Sequence, residues 1–192
     1  MQENRVHMTA GKALSPIKGE LLRGSRDRSF TGISTDSRTV GKGQLFWALQ
    51  GETFDGHDFV QAAIKKGAAG VVVNKDRTAD LPANTRASII GVQDTLKALG
   101  DLARWWRRGF EVRVAAITGS GGKTTTKEMT SAILSLEGST LKNEGNFNNL
   151  IGLPLSLFLL EKSHRYAVLE MGMNRPGEIG RLAEIADPDV GL

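Results

Sequence analysis

The spacing of apolar residues divides the chain into two parts with different patterns. In residues 1–90, short apolar segments alternate with glycine and polar turns. The segments 44–49 and 70–74 are apolar over most of their length, which is typical of buried strands. We therefore expect a small domain of mixed helices and strands in this part of the chain.

A helix is predicted over 94–108, because its leucines and alanines recur at helical spacing. It ends in the aromatic and basic run 105–108, where we expect tryptophans packed at a domain junction and arginines in solvent. A membrane surface or a nucleic acid is the alternative partner for that run. We take this helix as the end of a first domain, residues 1–109, which is followed by a second domain, residues 110–192.

From residue 112 onward, predicted strands alternate with predicted helices. A buried strand over 112–118 leads into a glycine-rich loop, and an amphipathic helix follows to about residue 136. The apolar residues on one face of that helix are Met129, Ala132, Ile133 and Leu136. Such alternation is typical of a parallel sheet with right-handed crossovers. The chain stops within this pattern, so we predict an α/β protein whose second domain is an incomplete parallel sheet.

Composition excludes several classes of protein. The net charge is +4, from 25 basic and 21 acidic residues that are scattered, so we expect phosphate-bearing small molecules and no nucleic acid as partners. The chain has no cysteine, which excludes disulfides and thiolate metal sites. Its N-terminus is polar, and its longest apolar run, 150–160, is too short to cross a membrane. We therefore expect a cytoplasmic protein without membrane insertion.

The strongest chemical signal is the segment 118–124, TGSGGKT, between an apolar strand and an amphipathic helix. In this context backbone N–H groups and a helix N-terminus bind the oxygens of a phosphate chain. Lys123 supplies a cation for the β and γ phosphates of ATP, and Thr124 supplies a hydroxyl for Mg²⁺. The standard motif has a glycine where Ile117 stands, so this loop is a shorter variant. The predicted ATP-binding residues are Gly119, Ser120, Gly121, Gly122, Lys123, Thr124 and Thr125.

Longer segments extend this signal to most of the chain. The second half contains TGSGGKTTTKEM, NEGNFNNLIGLPLSL and AVLEMGMNRPGEI, and the first half contains STDSRTVGKGQLFWALQGETFDGHDFV. Together they resemble the Mur ligases, over roughly residues 30–192. The segment 146–154, NFNNLIGLP, is the discriminating one, since related ligases and folylpolyglutamate synthase carry different residues there.

The resemblance implies an enzyme of peptidoglycan precursor synthesis. ATP phosphorylates a carboxylate of a nucleotide-linked peptide, and an amine then displaces phosphate to form an amide. The closest resemblance within the family implies addition of D-alanyl-D-alanine to UDP-N-acetylmuramoyl-tripeptide, with ATP and Mg²⁺ as cofactors and a monomeric full-length enzyme. The ligase that adds the third peptide residue and a non-catalytic nucleotide-binding module remain alternatives.

The resemblance also implies roles for single residues. Lys123 is expected to be catalytic, because its charge would stabilise the phosphoryl group in transfer. Thr124 and Glu170 are expected to bind Mg²⁺, although a solvated strand end is the alternative for Glu170. Local turn chemistry is the alternative for the asparagines, and a structural hydrogen bond is favoured for His57. The implied substrate-binding residues are Thr35, Ser37, Arg38, Glu52, Thr53, Phe54, Asn143, Glu144, Asn146, Asn148 and Asn149.

Full-length members of this family continue beyond the position of Leu192. They carry the rest of the central ATPase domain, a third domain, and a histidine and, in many members, a modified lysine that organise a second metal. We therefore expect this chain to be a fragment, or one whose remaining part is supplied by another chain, that binds nucleotide weakly and does not catalyse ligation by itself.

Overall fold

The computed structural model describes residues 4, 6–51, 53–78, 81–82 and 84–192. The chain forms two compact units, Met1–Leu102 and Ala103–Leu192. The division between them falls inside the helix Thr95–Arg107.

The first unit is built from short strands and short helices. Its helices are α1 (Ala10–Leu14), α2 (Val60–Lys65) and the first part of α3 (Thr95–Arg107), with 3₁₀ turns at Gly56–Phe59 and Lys75–Arg77. Its strands are β1 (Met8–Thr9), β2 (Glu20–Arg23), β3 (Ser29–Phe30), β4 (Ile33–Ser34), β5 (Leu45–Trp47), β6 (Gly70–Asn74) and β7 (Ser88–Val92).

A mixed sheet forms the centre of the first unit. Its strand order is β2-β7-β6-β5-β4, in which β4 to β7 are parallel neighbours and β2 pairs antiparallel with β7. The strands β1 and β3 form a separate antiparallel pair. The mixed α/β character expected for this part of the chain is confirmed, and the predicted strand over 70–74 coincides with β6.

Side chains that point alternately to the two faces of the sheet form the core of the first unit. Phe46, Val71 and Val73 are buried in one apolar cluster with Val60 and Ala63 of α2. Their neighbours in sequence point to the opposite face of the sheet, because side chains alternate along a strand. On that side the indole Nε1 of Trp47 donates a 2.8 Å hydrogen bond to the carbonyl of Thr95, at the start of α3.

The second unit is a parallel sheet with helices between its strands. Its strands are β8 (Arg113–Ile117), β9 (Thr140–Lys142), β10 (Tyr166–Glu170) and β11 (Val190–Gly191), in the order β11-β8-β10-β9. Every neighbouring pair is parallel, and Glu170 is in register with Ile117. The helices are α4 (Lys123–Ser135), α5 (Gly152–Leu157) and α6 (Glu178–Ala186). The strand–helix alternation predicted from the sequence is confirmed.

The helix α4 turns a different face to the protein than its apolar pattern indicates. Met129, Ile133 and Leu136 are 63%, 63% and 86% exposed, and Ala132 is exposed as well. The buried side of the helix carries Lys127 and Ser131 instead. The contacts that hold α4 on the sheet are therefore partly polar, and hydrophobicity alone gives the wrong inward face.

The end of α3 also differs from expectation. Arg107 is buried and not in solvent, because its guanidinium is used inside the second unit. Its Nε donates to the carbonyl of Ala186 at 2.9 Å, and its Nη2 donates to the carbonyl of Val112 at 3.2 Å. The first of these bonds satisfies a carbonyl at the C-terminus of α6, which has no partner within the helix.

Candidate functional site

The loop after β8 has the backbone geometry of an anion cradle. Gly119 and Gly122 have φ values of 143° and 74°, in a region that side-chain-bearing residues rarely adopt. The helix α4 begins directly after Gly122, and no side chain caps it. The first N–H groups of α4 therefore have no capping side chain, and the partial positive charge of the helix N-terminus faces the loop.

Lys123 lies over this loop. Its Nζ donates a 2.7 Å hydrogen bond to the carbonyl of Gly119, four residues earlier. The residues of the loop, 118–122, are all exposed. An anion bound in the loop would therefore lie close to the ammonium of Lys123 and to the N-terminus of α4.

Glu170 faces the start of α4 from the neighbouring strand. Because β8 and β10 are parallel, the loop after Ile117 and the carboxylate of Glu170 lie at the same edge of the sheet. The hydroxyl of Thr124 donates to Oε2 of Glu170 at 2.8 Å. Glu170 is only 4% exposed, so the alternative of a solvated strand end is excluded.

Asn143 and Asn148 hold Glu170 in place, and the substrate binding implied for them stays a prediction. The Oδ1 of Asn143 accepts from the backbone N–H of Glu170, and its Nδ2 donates to the carbonyl of Glu170, both at 2.8 Å. The same Nδ2 donates to the carbonyl of Phe147 at 2.9 Å. The amide of Asn148 donates to Oε1 of Glu170 at 2.9 Å. With Asn143 2% exposed, its amide is used inside the protein.

Asn149 also serves the backbone. Its Oδ1 accepts from the N–H groups of Ile151 and Gly152, at 3.1 and 2.8 Å, at the start of α5. This is the turn chemistry that was the alternative for the asparagines. Glu144 and Asn146 are exposed and remain predicted substrate contacts.

Lys127 is a member of the site that the sequence analysis did not select. It is 2% exposed, its Nζ donates to the carbonyl of Asn143 at 2.9 Å, and it lies 3.9 Å from Oε2 of Glu170. The available signal was the spacing KTTTK, which places Lys123 and Lys127 one turn apart on the same helix face. Spacing alone does not distinguish a buried lysine from a solvated one.

In the first unit, the predicted substrate contacts follow the carboxyl ends of two parallel strands. Thr35, Ser37 and Arg38 come after β4, whereas Thr53 and Phe54 come after β5. Phe54 is 72% exposed, and Thr35 and Ser37 are half-buried. Ligands bind at this edge in open α/β sheets. Glu52, the remaining predicted contact, lies outside the described residues.

Arg38 is held by Asp36. Its Nε and Nη2 donate to the two carboxylate oxygens of Asp36 at 3.0 and 2.7 Å, and its side chain is 86% exposed. The hydrogen bond from Arg38 is the main reason that the pKa of Asp36 lies below its ordinary value. A guanidinium held in one orientation at an exposed loop is well placed for a phosphate.

His57 makes structural hydrogen bonds, as favoured from the sequence. Its Nε2 accepts from the backbone N–H of Asn74 at 2.9 Å, which assigns the ring proton to Nδ1, 2.5 Å from Oδ1 of Asp55. Arg77 donates to the other oxygen of Asp55 at 2.6 Å. His57 therefore fixes the segment around Asp55 to β6 and is not free for proton transfer.

Two profiles of a single protein family match the chain. The profile "Mur ligase family, catalytic domain" matches residues 29–107, and "Mur ligase middle domain" matches residues 117–192. The chain belongs to the Mur ligase family. The resemblance drawn from the sequence motifs is thereby confirmed.

Curated Mur ligases of one kind are similar to nearly the whole chain. The UDP-N-acetylmuramoyl-tripeptide–D-alanyl-D-alanine ligase of Escherichia coli K12 is 41% identical over 187 residues, which are 97% of this chain and 40% of that protein. The ligase of the same name from Bacillus subtilis 168 is 42% identical, with 97% and 40% covered. The chain thus spans about 40% of the length of these relatives.

Solved Mur ligase structures share the fold. A crystal structure of MurF from Acinetobacter baumannii has a TM-score of 0.87 at 36% identity. The match covers 98% of this chain and 41% of the MurF chain. The MurF ligase of Thermotoga maritima, solved in complex with ADP, has a TM-score of 0.73 at 38% identity. That match covers 82% of this chain and 35% of the Thermotoga maritima chain. The predicted fold class is confirmed by these neighbours.

The part of this Mur ligase chain that the structure describes contains no cluster of three or more histidine, cysteine, aspartate or glutamate side chains suited to a metal. In the same part of the chain no helix is long and apolar enough to cross a membrane.

Proposed function

We propose that this chain binds ATP through Gly119, Ser120, Gly121, Gly122, Lys123, Thr124 and Thr125. The observation that carries the proposal is the joint placement of the glycine loop, the uncapped start of α4 and the pair Thr124–Glu170 at one sheet edge. The relative from Thermotoga maritima, crystallised with ADP, supports it. Lys123 is the proposed catalytic residue, because an ammonium over the loop stabilises charge on the phosphoryl group in transfer.

We further propose that Thr124 and Glu170 hold Mg²⁺ on the phosphates. The two oxygens are 2.8 Å apart, so both could contact one small cation. One carboxylate and one hydroxyl suit an ion that takes its remaining ligands from phosphates and water. When bound, Mg²⁺ neutralises charge on the phosphate oxygens. Thr124 and Glu170 orient it, and the loop N–H groups bind the phosphates.

For the whole protein we propose the reaction named for its relatives, D-alanyl-D-alanine addition to UDP-N-acetylmuramoyl-tripeptide. A carboxylate oxygen of the tripeptide attacks the γ-phosphorus of ATP, and ADP leaves. The amine of D-alanyl-D-alanine attacks the carbonyl carbon of the resulting acyl phosphate. The bond from that carbon to the phosphate oxygen breaks, inorganic phosphate leaves with the bond's electrons, the amine nitrogen loses a proton to water, and an amide forms. Phosphorylation is needed because a carboxylate is a poor electrophile.

We propose that residues 1–109 bind the uridine-nucleotide end of the precursor and that residues 110–192 bind ATP. Arg38 would contact the diphosphate, with Thr35, Ser37, Thr53 and Phe54 beside it, and Glu52 completes the proposed set. Glu144 and Asn146 are proposed to contact the peptide or sugar. We also propose that the whole protein is cytoplasmic, because its proposed substrates are small water-soluble molecules, and that it is a monomer.

Two measurements test these proposals. Calorimetric titration of Mg-ATP into the 192-residue protein should show binding that Lys123→Ala removes. In a protein of the relatives' length that contains this chain, phosphate release with the tripeptide precursor and Mg-ATP should depend on D-alanyl-D-alanine. Turnover only with the dipeptide precursor and a third amino acid would assign the chain to the ligase for the preceding step. Nucleotide binding without either turnover would make it a non-catalytic module.

A further inference from the structure

Lys127 is a buried cation beside the proposed metal site. It lies one helical turn after Lys123, but it is 2% exposed, and its Nζ is committed to the carbonyl of Asn143 at 2.9 Å. Removing an ammonium from water is costly unless it is paired and hydrogen-bonded. A methionine or leucine at this position would pack without that cost, so the charge calls for an explanation.

The carboxylate of Glu170 supplies that explanation. Its side chain is 5% exposed, and its hydrogen bonds come from the neutral donors Thr124 and Asn148. Lys127 Nζ lies 3.9 Å from Oε2, the same oxygen that accepts from Thr124. The contact of Lys127 with Glu128, at 3.3 Å, is to a carboxylate that is half-exposed and also paired with Lys142. The buried charge that needs Lys127 is therefore that of Glu170.

We propose that Lys127 is the internal counter-ion of Glu170 and a positioning residue for the metal. It balances the buried carboxylate while the site holds no cation, and it weakens the binding of a free divalent cation. Bound phosphates add negative charge that offsets Lys127, so the cation binds together with nucleotide. This inference rests on the proposed function, because it takes Glu170 as a Mg²⁺ ligand.

The hydrogen bond of Lys127 supports the same role. The carbonyl that it binds belongs to Asn143, and the side chain of Asn143 pairs with both backbone polar groups of Glu170. Lys127 thus acts on Glu170 by charge across 3.9 Å and by position through Asn143. It is not placed to act on phosphate directly, since it is enclosed and Lys123 occupies the exposed turn before it.

The test is Mn²⁺ binding to the 192-residue protein without nucleotide, measured from the free-ion signal in electron paramagnetic resonance. Lys127→Met should bind Mn²⁺ on the order of tenfold more tightly than the wild type, because like-charge repulsion is removed. Lys127→Arg should resemble the wild type, since it keeps the charge. Lys142→Met is the matched control: it removes a partly exposed lysine that contacts Glu128, and Mn²⁺ affinity should not change.

Two further variants separate charge from structure. Adding Glu170→Gln to Lys127→Met should abolish the gain in Mn²⁺ affinity, because the carboxylate that attracts the ion is gone. Lys127→Gln keeps a donor for Asn143 without the charge and should show the same gain as Lys127→Met. Wild-type Mn²⁺ affinity in folded Lys127→Met or Lys127→Gln would overturn the proposal.

Thermal unfolding covers the case of poor folding. Both uncharged variants should melt at a lower temperature than the wild type in metal-free buffer, and Mn²⁺ should restore much of the loss. Instability that Mn²⁺ does not relieve would also overturn the proposal. Failure of the proposed function is distinguishable, because it would appear as absent Mg-ATP binding in the wild type, whatever the Mn²⁺ affinities of the variants.

Discussion

The hydroxyl of Thr124 donates a 2.8 Å hydrogen bond to the carboxylate of Glu170, although the two residues are 46 positions apart in the chain. Thr124 lies in the first turn of α4, and Glu170 is the last residue of β10. The bond therefore joins the helix that follows the glycine loop to the adjacent strand. It places two oxygen atoms side by side before any ligand is bound, which lowers the ordering that a metal-bound nucleotide would require.

Thr124→Val should reduce the affinity for ADP only when Mg²⁺ is present. Valine keeps the shape of threonine but removes the oxygen, so the metal loses one ligand while the loop N–H groups are retained. We expect the dissociation constant to rise about tenfold with Mg²⁺ and to change little with EDTA. Calorimetric titration under both conditions measures this. Thr126→Val, at an exposed position in the same helix, is the control, and equal losses in both buffers would contradict the ligand role of Thr124.

Lys123→Ala should weaken Mg-ATP binding by about a hundredfold without affecting folding, because a charge-assisted contact with phosphate is lost. The side chain of Lys123 makes one hydrogen bond, to the loop carbonyl of Gly119. Its removal should change the free energy of unfolding by less than about 0.5 kcal/mol. Titration calorimetry and urea denaturation test the two parts. Lys162 is an exposed lysine in the turn before β10, and Lys162→Ala should bind Mg-ATP as the wild type does. Unchanged affinity in Lys123→Ala would show that Lys123 does not reach phosphate.

Asn143→Leu should destabilise the second unit, because the buried polar groups of Glu170 and Phe147 lose their partners. Each unsatisfied buried group costs about 1–3 kcal/mol, so the loss of three hydrogen bonds should cost at least about 3 kcal/mol. Urea denaturation followed by circular dichroism measures it. Asn146→Leu, at an exposed position three residues away, should stay within about 0.5 kcal/mol of the wild type. A mild effect of Asn143→Leu would return this residue to the candidates for substrate binding.

The contrast between Asn143 and Asn146 shows where sequence reasoning stops. Both belong to one polar stretch, and the sequence offers no difference between them. The backbone of Glu170, which is brought alongside by the parallel pairing of β9 with β10, makes Asn143 a structural residue and leaves Asn146 in solvent. Residue type predicts that such asparagines make hydrogen bonds, but their partners are set by tertiary contacts.

Other features were predictable because they depend on local sequence. The segment 118–124 carries its own glycines, lysine and threonine, and the strand before it is an apolar run. The family resemblance rested on the same continuous motifs. The inward face of α4 was not predictable, since Lys127 is held by Asn143 and Glu170, which are distant in sequence. A buried lysine is recognised only when its counter-charge is located.

Asp55 should make the stability of the first unit depend on pH. Burial raises the pKa of Asp55, but the hydrogen bonds from His57 and the charge of Arg77 outweigh burial, so the pKa lies below its ordinary value. A lowered pKa gives stability that is present above the unfolded-state pKa and is lost as pH falls through the folded-state value. We expect the melting temperature to decrease once the pH is lowered below about 4.

Asp55→Asn provides the comparison for this pH dependence. It should be less stable than the wild type at pH 7 and should lose less stability on acidification, because it has no carboxylate to protonate. Asp58→Asn is the control, since Asp58 is 66% exposed and lies 3.4 Å from the same arginine. Parallel acid profiles for the wild type and Asp55→Asn would mean that other carboxylates determine the acid sensitivity.

The outward apolar row on α4, formed by Met129, Ile133 and Leu136, governs how the protein behaves in concentrated solution. At low ionic strength the net charge of +4 keeps molecules apart. Added salt screens that repulsion, and salts such as sulfate also strengthen association between apolar surfaces. The protein should therefore tolerate dilute buffers well and begin to cluster as sulfate is added. Crystallisation from high salt would tend to bury this row in a lattice contact.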